Sequence, residues 1–96
     1  MAAYLAVQVE VKDQSEFEKY KVMAAAAVAA YGGKYLVRGG ALTVLEGDWK
    51  PERLVIVEFE SAERAMQWWN SQEYEEAKTL RQRIATARVI LVEGVS

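Results

Sequence analysis

Residues 32–47 read GGKYLVRGGALTVLEG, and the reading of this stretch decides the fold. It holds five of the chain's six glycines, as two Gly-Gly pairs and a singlet. Between them lie two short runs of strand type, 34–38 and 42–46, and one arginine, Arg38, in apolar surroundings. Glycine pairs let a backbone turn or bulge where a side chain would clash. Two arrangements are open, a tight hairpin or one long strand interrupted by a bulge at Gly39-Gly40, and the bulged strand is favoured. Arg38 needs an anionic partner or water, because an unpaired buried charge is very costly. The stretch predicts a strand bent beside a cleft.

Upstream, Tyr4 begins a strand that runs to Val11, with Leu5, Val7, Val9 and Val11 on one face and Tyr4, Ala6, Gln8 and Glu10 on the other. Asp13, with Glu16 three residues on, marks a helix start, and Ser15 is the rival cap. That helix carries Phe17, Tyr20, Ala24, Ala27 and Tyr31 at helical spacing, and Gly32-Gly33 stops it. Downstream, residues 48–52 hold the only proline and form the clearest turn. Residues 53–60 read as the strongest strand. Ser61 caps a short helix, and Ser71 caps another with Tyr74, Ala77, Leu80 and Ile84 inside. Residues 88–93 close the chain as a strand.

Strand, helix, strand, strand, helix, strand is the ferredoxin-like order. It predicts one α+β domain over residues 1–96, a four-stranded antiparallel sheet in spatial order 4-1-3-2 with the helices on one face. The other face would carry Tyr4, Ala6, Leu36, Leu54, Ile56, Ile90 and Val92, and no segment is left to cover it. A second copy packed sheet to sheet is the simplest cover, giving a homodimer of the dimeric α/β-barrel type. Gln8, Glu10, Arg38, Glu58 and Glu60 fall on the same face, so the cleft is expected there, between the sheets.

Composition removes several chemistries. The chain has neither histidine nor cysteine, which excludes histidine bases, thiol chemistry and the usual zinc and haem sites. No cofactor and no metal are expected. The net charge of −2 gives no general attraction to nucleic acid or anionic membrane. The longest apolar run, 22–30, has nine residues, against the roughly 20 that a membrane span requires. The N-terminus alternates as a strand does, so no signal peptide is expected and a cytoplasmic location follows by default.

The run from Tyr31 through Gly39-Gly40, followed by Leu45-Glu46-Gly47, Val57-Glu58-Phe59, Ala65, Trp68, Ser71, Glu73-Tyr74, Lys78, Arg81 and Val92-Glu93-Gly94, resembles the domain of unknown function 1330 family. The resemblance spans nearly the whole chain. It implies the dimeric α/β-barrel fold and implies no activity. Trp69 departs from the family pattern, in which a tyrosine is expected after Trp68.

Two rival functions fail on position. A phosphate cradle precedes a helix, whereas Gly32-Gly33 follows one and Gly39-Gly40 lies between strand segments. RNA-recognition modules place aromatics on the open sheet face, where this chain offers Glu58 and Glu60. Arg38 is therefore read as an anchor for a substrate carboxylate or as half of an ion pair with Glu58 or Glu60. Glu58 is the candidate base, Tyr74 the candidate proton donor, and Trp69 and Arg81 candidate substrate contacts, Arg81 lying seven residues from Tyr74 on one helical face. By analogy of fold, these would serve a cofactor-independent enzyme on a small organic acid or aromatic molecule, monooxygenase- or isomerase-like. The alternative is a non-catalytic homodimer that binds a small molecule or has a structural role.

Overall fold

Alternation along the first strand sets the architecture. In the computed structural model, which describes residues 1–95, β1 (Ala3–Val11) buries Ala3, Leu5, Val7 and Val9 while the intervening side chains stay accessible. It lies inside the sheet, antiparallel to both β3 (Arg53–Phe59) and β4 (Ala85–Glu93), and β2 (Lys34–Arg38) pairs with the outer side of β3. The order β2-β3-β1-β4 is the order expected from two crossovers. Three helices, α1 (Gln14–Ala30), α2 (Ala62–Trp69) and α3 (Gln72–Ile84), complete a ferredoxin-like α+β fold.

The helices start where short polar side chains satisfy their first amides. Asp13 accepts from the Glu16 amide at 3.1 Å, with Ser15 donating to the same carboxylate and not acting as the cap. Ser61 and Ser71 accept from the amides of Arg64 and Tyr74. Gly32, with φ +74°, ends α1, since a left-handed residue breaks the helix at little cost only if it lacks a Cβ. Ala24, Ala27 and Val28 of α1 are buried and small enough to let the helix lie close over the sheet. No helix among the described residues is long and apolar enough to cross a membrane.

The quoted stretch folds differently from its sequence reading. Residues 42–46 form no strand, and the whole segment 39–50 is exposed. The bulge exists, but it lies earlier: Tyr35 pairs with Val57 and Val37 with Ile56, leaving Leu36 extra. At Gly39 (φ +73°) the chain turns away from the sheet after one last amide bond to the Leu54 carbonyl, at 2.9 Å. Trp49 then ties the loop back, its indole donating to Gln8 Oε1 at 2.8 Å.

A bulge shifts side-chain alternation by one. Lys34 and Val37 therefore share the open face with Glu58 and Ile56, while Tyr35 and Arg38 share the helix face with Val57 and Val55. Arg38 thus lies on the opposite side of the sheet from Glu58. An ion pair of Arg38 with Glu58 or Glu60, one of the two readings open from sequence, is absent among the described residues.

Candidate functional site

A cavity of about 40 Å³ lies between the helix face of the sheet and the helices, with Trp68 and Trp69 of α2 at one side. That is room for about three waters. This cavity lies on the side of the sheet opposite the open face, where the sequence places a cleft between two protomers. Its walls include Leu5, Val7, Val57 and Phe17, all buried. Helix α3 supplies two polar groups at a seven-residue spacing, Tyr74 and Arg81, which are 1% and 4% exposed.

Tyr74 is held on two sides. Its hydroxyl lies 2.9 Å from that of Tyr20 on α1, and its ring stacks on Trp68 with centroids 4.1 Å apart. Burial pushes the Tyr20 phenol well above its ordinary value. The neighbouring Tyr74 hydroxyl pushes the same way, and the Arg81 charge opposes them. Burial raises Tyr35 as well, against the pull of Arg38. Both phenols stay neutral donors at ordinary pH.

Three arginines line the cavity, Arg38, Arg53 and Arg81, and no carboxylate does. Arg38 is exposed; its Nη2 donates to the Lys21 carbonyl at 2.9 Å and its guanidinium lies over the Tyr35 ring. Arg53 lies over the Phe17 ring, 5.2 Å from its centroid, and its Nε is buried without a hydrogen-bond partner. The indole Nε1 of Trp68 is likewise buried and unpartnered. The ion pairs among the described residues are Lys19–Glu16 and Lys21–Glu18, so none of these arginines is in one. The cavity presents hydrogen-bond donors and positive charge; apart from phenol oxygens its lining side chains offer no acceptor.

Of the residues singled out from sequence, Tyr74, Arg81, Arg38 and Trp69 meet at this cavity. Glu58 does not. It is on the open face, where it accepts from the Tyr4 hydroxyl at 3.2 Å, and that bond raises the Tyr4 phenol's pKa. Trp69 shields the side of the cavity, with the Lys78 ammonium over its ring and bonded to its carbonyl. Sequence reasoning missed Arg53, Tyr35 and the Trp68 indole as polar lining. For Arg53 a signal existed: it alternates with Val55 and Val57, which fixes it on the helix face. No group of three His, Cys, Asp or Glu residues placed to hold a metal ion occurs among the described residues.

The model of the DUF1330 family, a domain of unknown function, matches residues 2–95. No curated protein matches the chain. Among solved structures, a protein of unknown function from Rhodopseudomonas palustris is similar at 18% identity and TM-score 0.79, over 99% of this chain and 83% of that one. SnoaB, a cofactor-independent oxygenase from Streptomyces nogalater, is similar at 16% identity and TM-score 0.70, over 99% and 94%. A dimeric ferredoxin-like protein of unknown function from Jannaschia sp. shares 10% identity at TM-score 0.76, over 98% and 100%. At these identities the likeness is one of fold.

Proposed function

This chain belongs to the DUF1330 family, and from that premise we propose that it binds a small organic acid in the cavity between sheet and helices, the acid group resting on Arg81. The observation that carries the reading is Arg81 itself, a residue 4% exposed that forms no ion pair among the described residues and lines a cavity with no carboxylate in its walls. A buried charge is tolerated where something neutralises it, and here the missing partner fits the empty space. The unpartnered indole of Trp68 supports the same reading, since an acceptor oxygen would satisfy it. The apolar walls suit a carbon skeleton and disfavour a bare inorganic ion.

In this proposal the chain pairs as a homodimer through its open face, each protomer carrying a complete cavity. Ile90, Val92 and Leu36 on the uncovered face are 63%, 51% and 50% exposed, and the Jannaschia neighbour is described as dimeric. Calorimetric titration with short monocarboxylates, formate through butyrate, tests the binding. Saturable binding that Arg81→Gln abolishes is expected. No binding by any of them would overturn the proposal.

A catalytic reading is favoured by the Tyr20–Tyr74 hydroxyl pair at 2.9 Å. It makes Tyr74 a proton donor to an anion formed on the bound substrate. Glu58 is on the far side of the sheet from the cavity, so in this reading a water in the cavity takes the carbon-bound proton while the arginines stabilise the anion that forms. Such an enzyme would need no cofactor, as the oxygenase from Streptomyces nogalater is described. Proton NMR in deuterium oxide should show exchange at C3 of a bound 2-oxo acid, the carbon next to its keto group, and its loss in Tyr74→Phe. Exchange at the uncatalysed rate would remove catalysis of this kind and leave binding.

A further inference from the structure

The charge count of the cavity exceeds what one acid group neutralises. Arg38, Arg53 and Arg81 all line it, and the fourth cation there, Lys21, is already paired with Glu18 at 3.2 Å. The three guanidiniums also divide by position. Arg81 is buried and belongs to the enclosed cavity, whereas Arg38, Arg53 and Lys21 line both that cavity and the outer groove beside α1. The cationic lining therefore has a floor and a mouth.

Arg53 at the mouth is held as a prepared anchor. The Phe17 ring supports one side of its guanidinium. On another side the chain comes so close that a Cβ on Gly39 would fall 2.1 Å from Nη1 and 2.5 Å from Cζ. Gly39 also has φ +73°, where other residues are strained. Its lack of a side chain thus serves both the turn and the seat of the arginine. Held so, the guanidinium keeps its Nε buried and without an acceptor. Glu18 lies on the groove side and its carboxylate feels Arg53, but it is bonded to Lys21 and Gln14. It forms no ion pair with Arg53.

We infer that Arg53, with Arg38 beside it, is a second anion subsite at the cavity mouth, so that the ligand is a small dianionic organic acid bridging Arg53 and Arg81. This rests on the proposed binding of an organic acid at Arg81 and adds its charge and its orientation. One carboxylate sits on the floor against Arg81, Tyr74 and Trp68. The other stays at the mouth, where water already reaches and the cost of desolvating it is smaller. The carbon chain between them lies against the apolar walls. Gly39 is a positioning residue in this arrangement.

The test is calorimetric titration of the intact protein with dicarboxylates from oxalate to adipate, each against the monocarboxylate of the same carbon count. At least one dicarboxylate should bind about tenfold or more tightly than its monocarboxylate, as one additional charge-assisted contact predicts. Arg53→Gln should erase that preference, bringing the best dicarboxylate to the affinity of its monocarboxylate. Arg53→Lys should keep part of it by retaining the charge. Gly39→Ala should reduce it by displacing the guanidinium, and its melting curve shows whether the fold survives. Equal affinity for mono- and dicarboxylates, or a preference that persists in a folded Arg53→Gln protein, overturns the inference and leaves the Arg81 reading in place. Binding of neither class overturns both.

Discussion

The two faces of the sheet invert the usual placement of polarity. The covered face holds three arginines and an indole N–H without an acceptor, where unmatched polar groups are most costly. The open face offers Ile90, Val92 and Leu36 to water, and its polar groups are either paired, as Tyr4 with Glu58 and Trp49 with Gln8, or exposed to solvent, as Glu10 and Arg88. One side is incomplete in charge and the other in area. Each deficit specifies what would remove it, an anion for the first and an apolar surface for the second.

The largest expected effect breaks the open face alone. Ile90→Glu places a charge at the centre of the proposed dimer contact. It should raise the dimer dissociation constant by more than about a hundredfold, since an unpaired charge there costs several kcal/mol. Light scattering at micromolar concentration should then give the 10.8 kDa chain mass in place of twice that mass. Carboxylate binding should persist, because no residue of the cavity changes. A native protein that is already a monomer at that concentration would refute the area deficit.

Arg81→Met acts on the covered face and should separate stability from binding. Replacing a buried, unneutralised charge with an apolar side chain of similar length should stabilise the free protein by about 1–3 kcal/mol in urea denaturation. Organic acids should no longer bind. A loss of stability instead would mean that the guanidinium is already satisfied by the protein.

The arrangement of elements was legible in the sequence because it rests on alternation and capping, which are local. β1, the three helix caps and the strand order all followed from such patterns. The side of the sheet on which Arg38 lies was not legible. It turned on the single extra residue, Leu36, and a bulge within KYLVR carries no glycine to announce it. The glycines that drew attention mark the place where β2 ends, not where it bends. Tyr74 and Arg81 were found together because their spacing on one helix is independent of strand register.

The smallest effect sharpens the contrast through pH. Tyr20 is buried and its phenol is raised above the ordinary 10.0, so the folded chain keeps a proton that the unfolded chain loses in alkali. Its contribution is fully present below pH 10 and declines above it, with a slope of about 1 kcal/mol per pH unit. Tyr35 adds a smaller share because it is more exposed to solvent. Urea midpoints measured from pH 8 to pH 11 should fall more steeply for the native protein than for Tyr20→Phe. Equal slopes would place the Tyr20 hydroxyl in contact with water and open the cavity at that end.

The bulge in β2 also has a meaning for descent. Leu36 is supernumerary: without it, Tyr35, Val37 and Arg38 alternate regularly and Arg38 still faces the helices. A gene lacking that codon would keep the cation at the cavity mouth, while a codon lost within β3 would turn every later side chain of that strand over. The edge strand, with one neighbour, absorbs the insertion; the inner strand, with two, cannot. Descendants of this site should therefore carry the tyrosine and arginine either two or three positions apart, as Tyr-X-Arg or Tyr-X-X-Arg. A comparison that penalises the gap would divide one lineage into two.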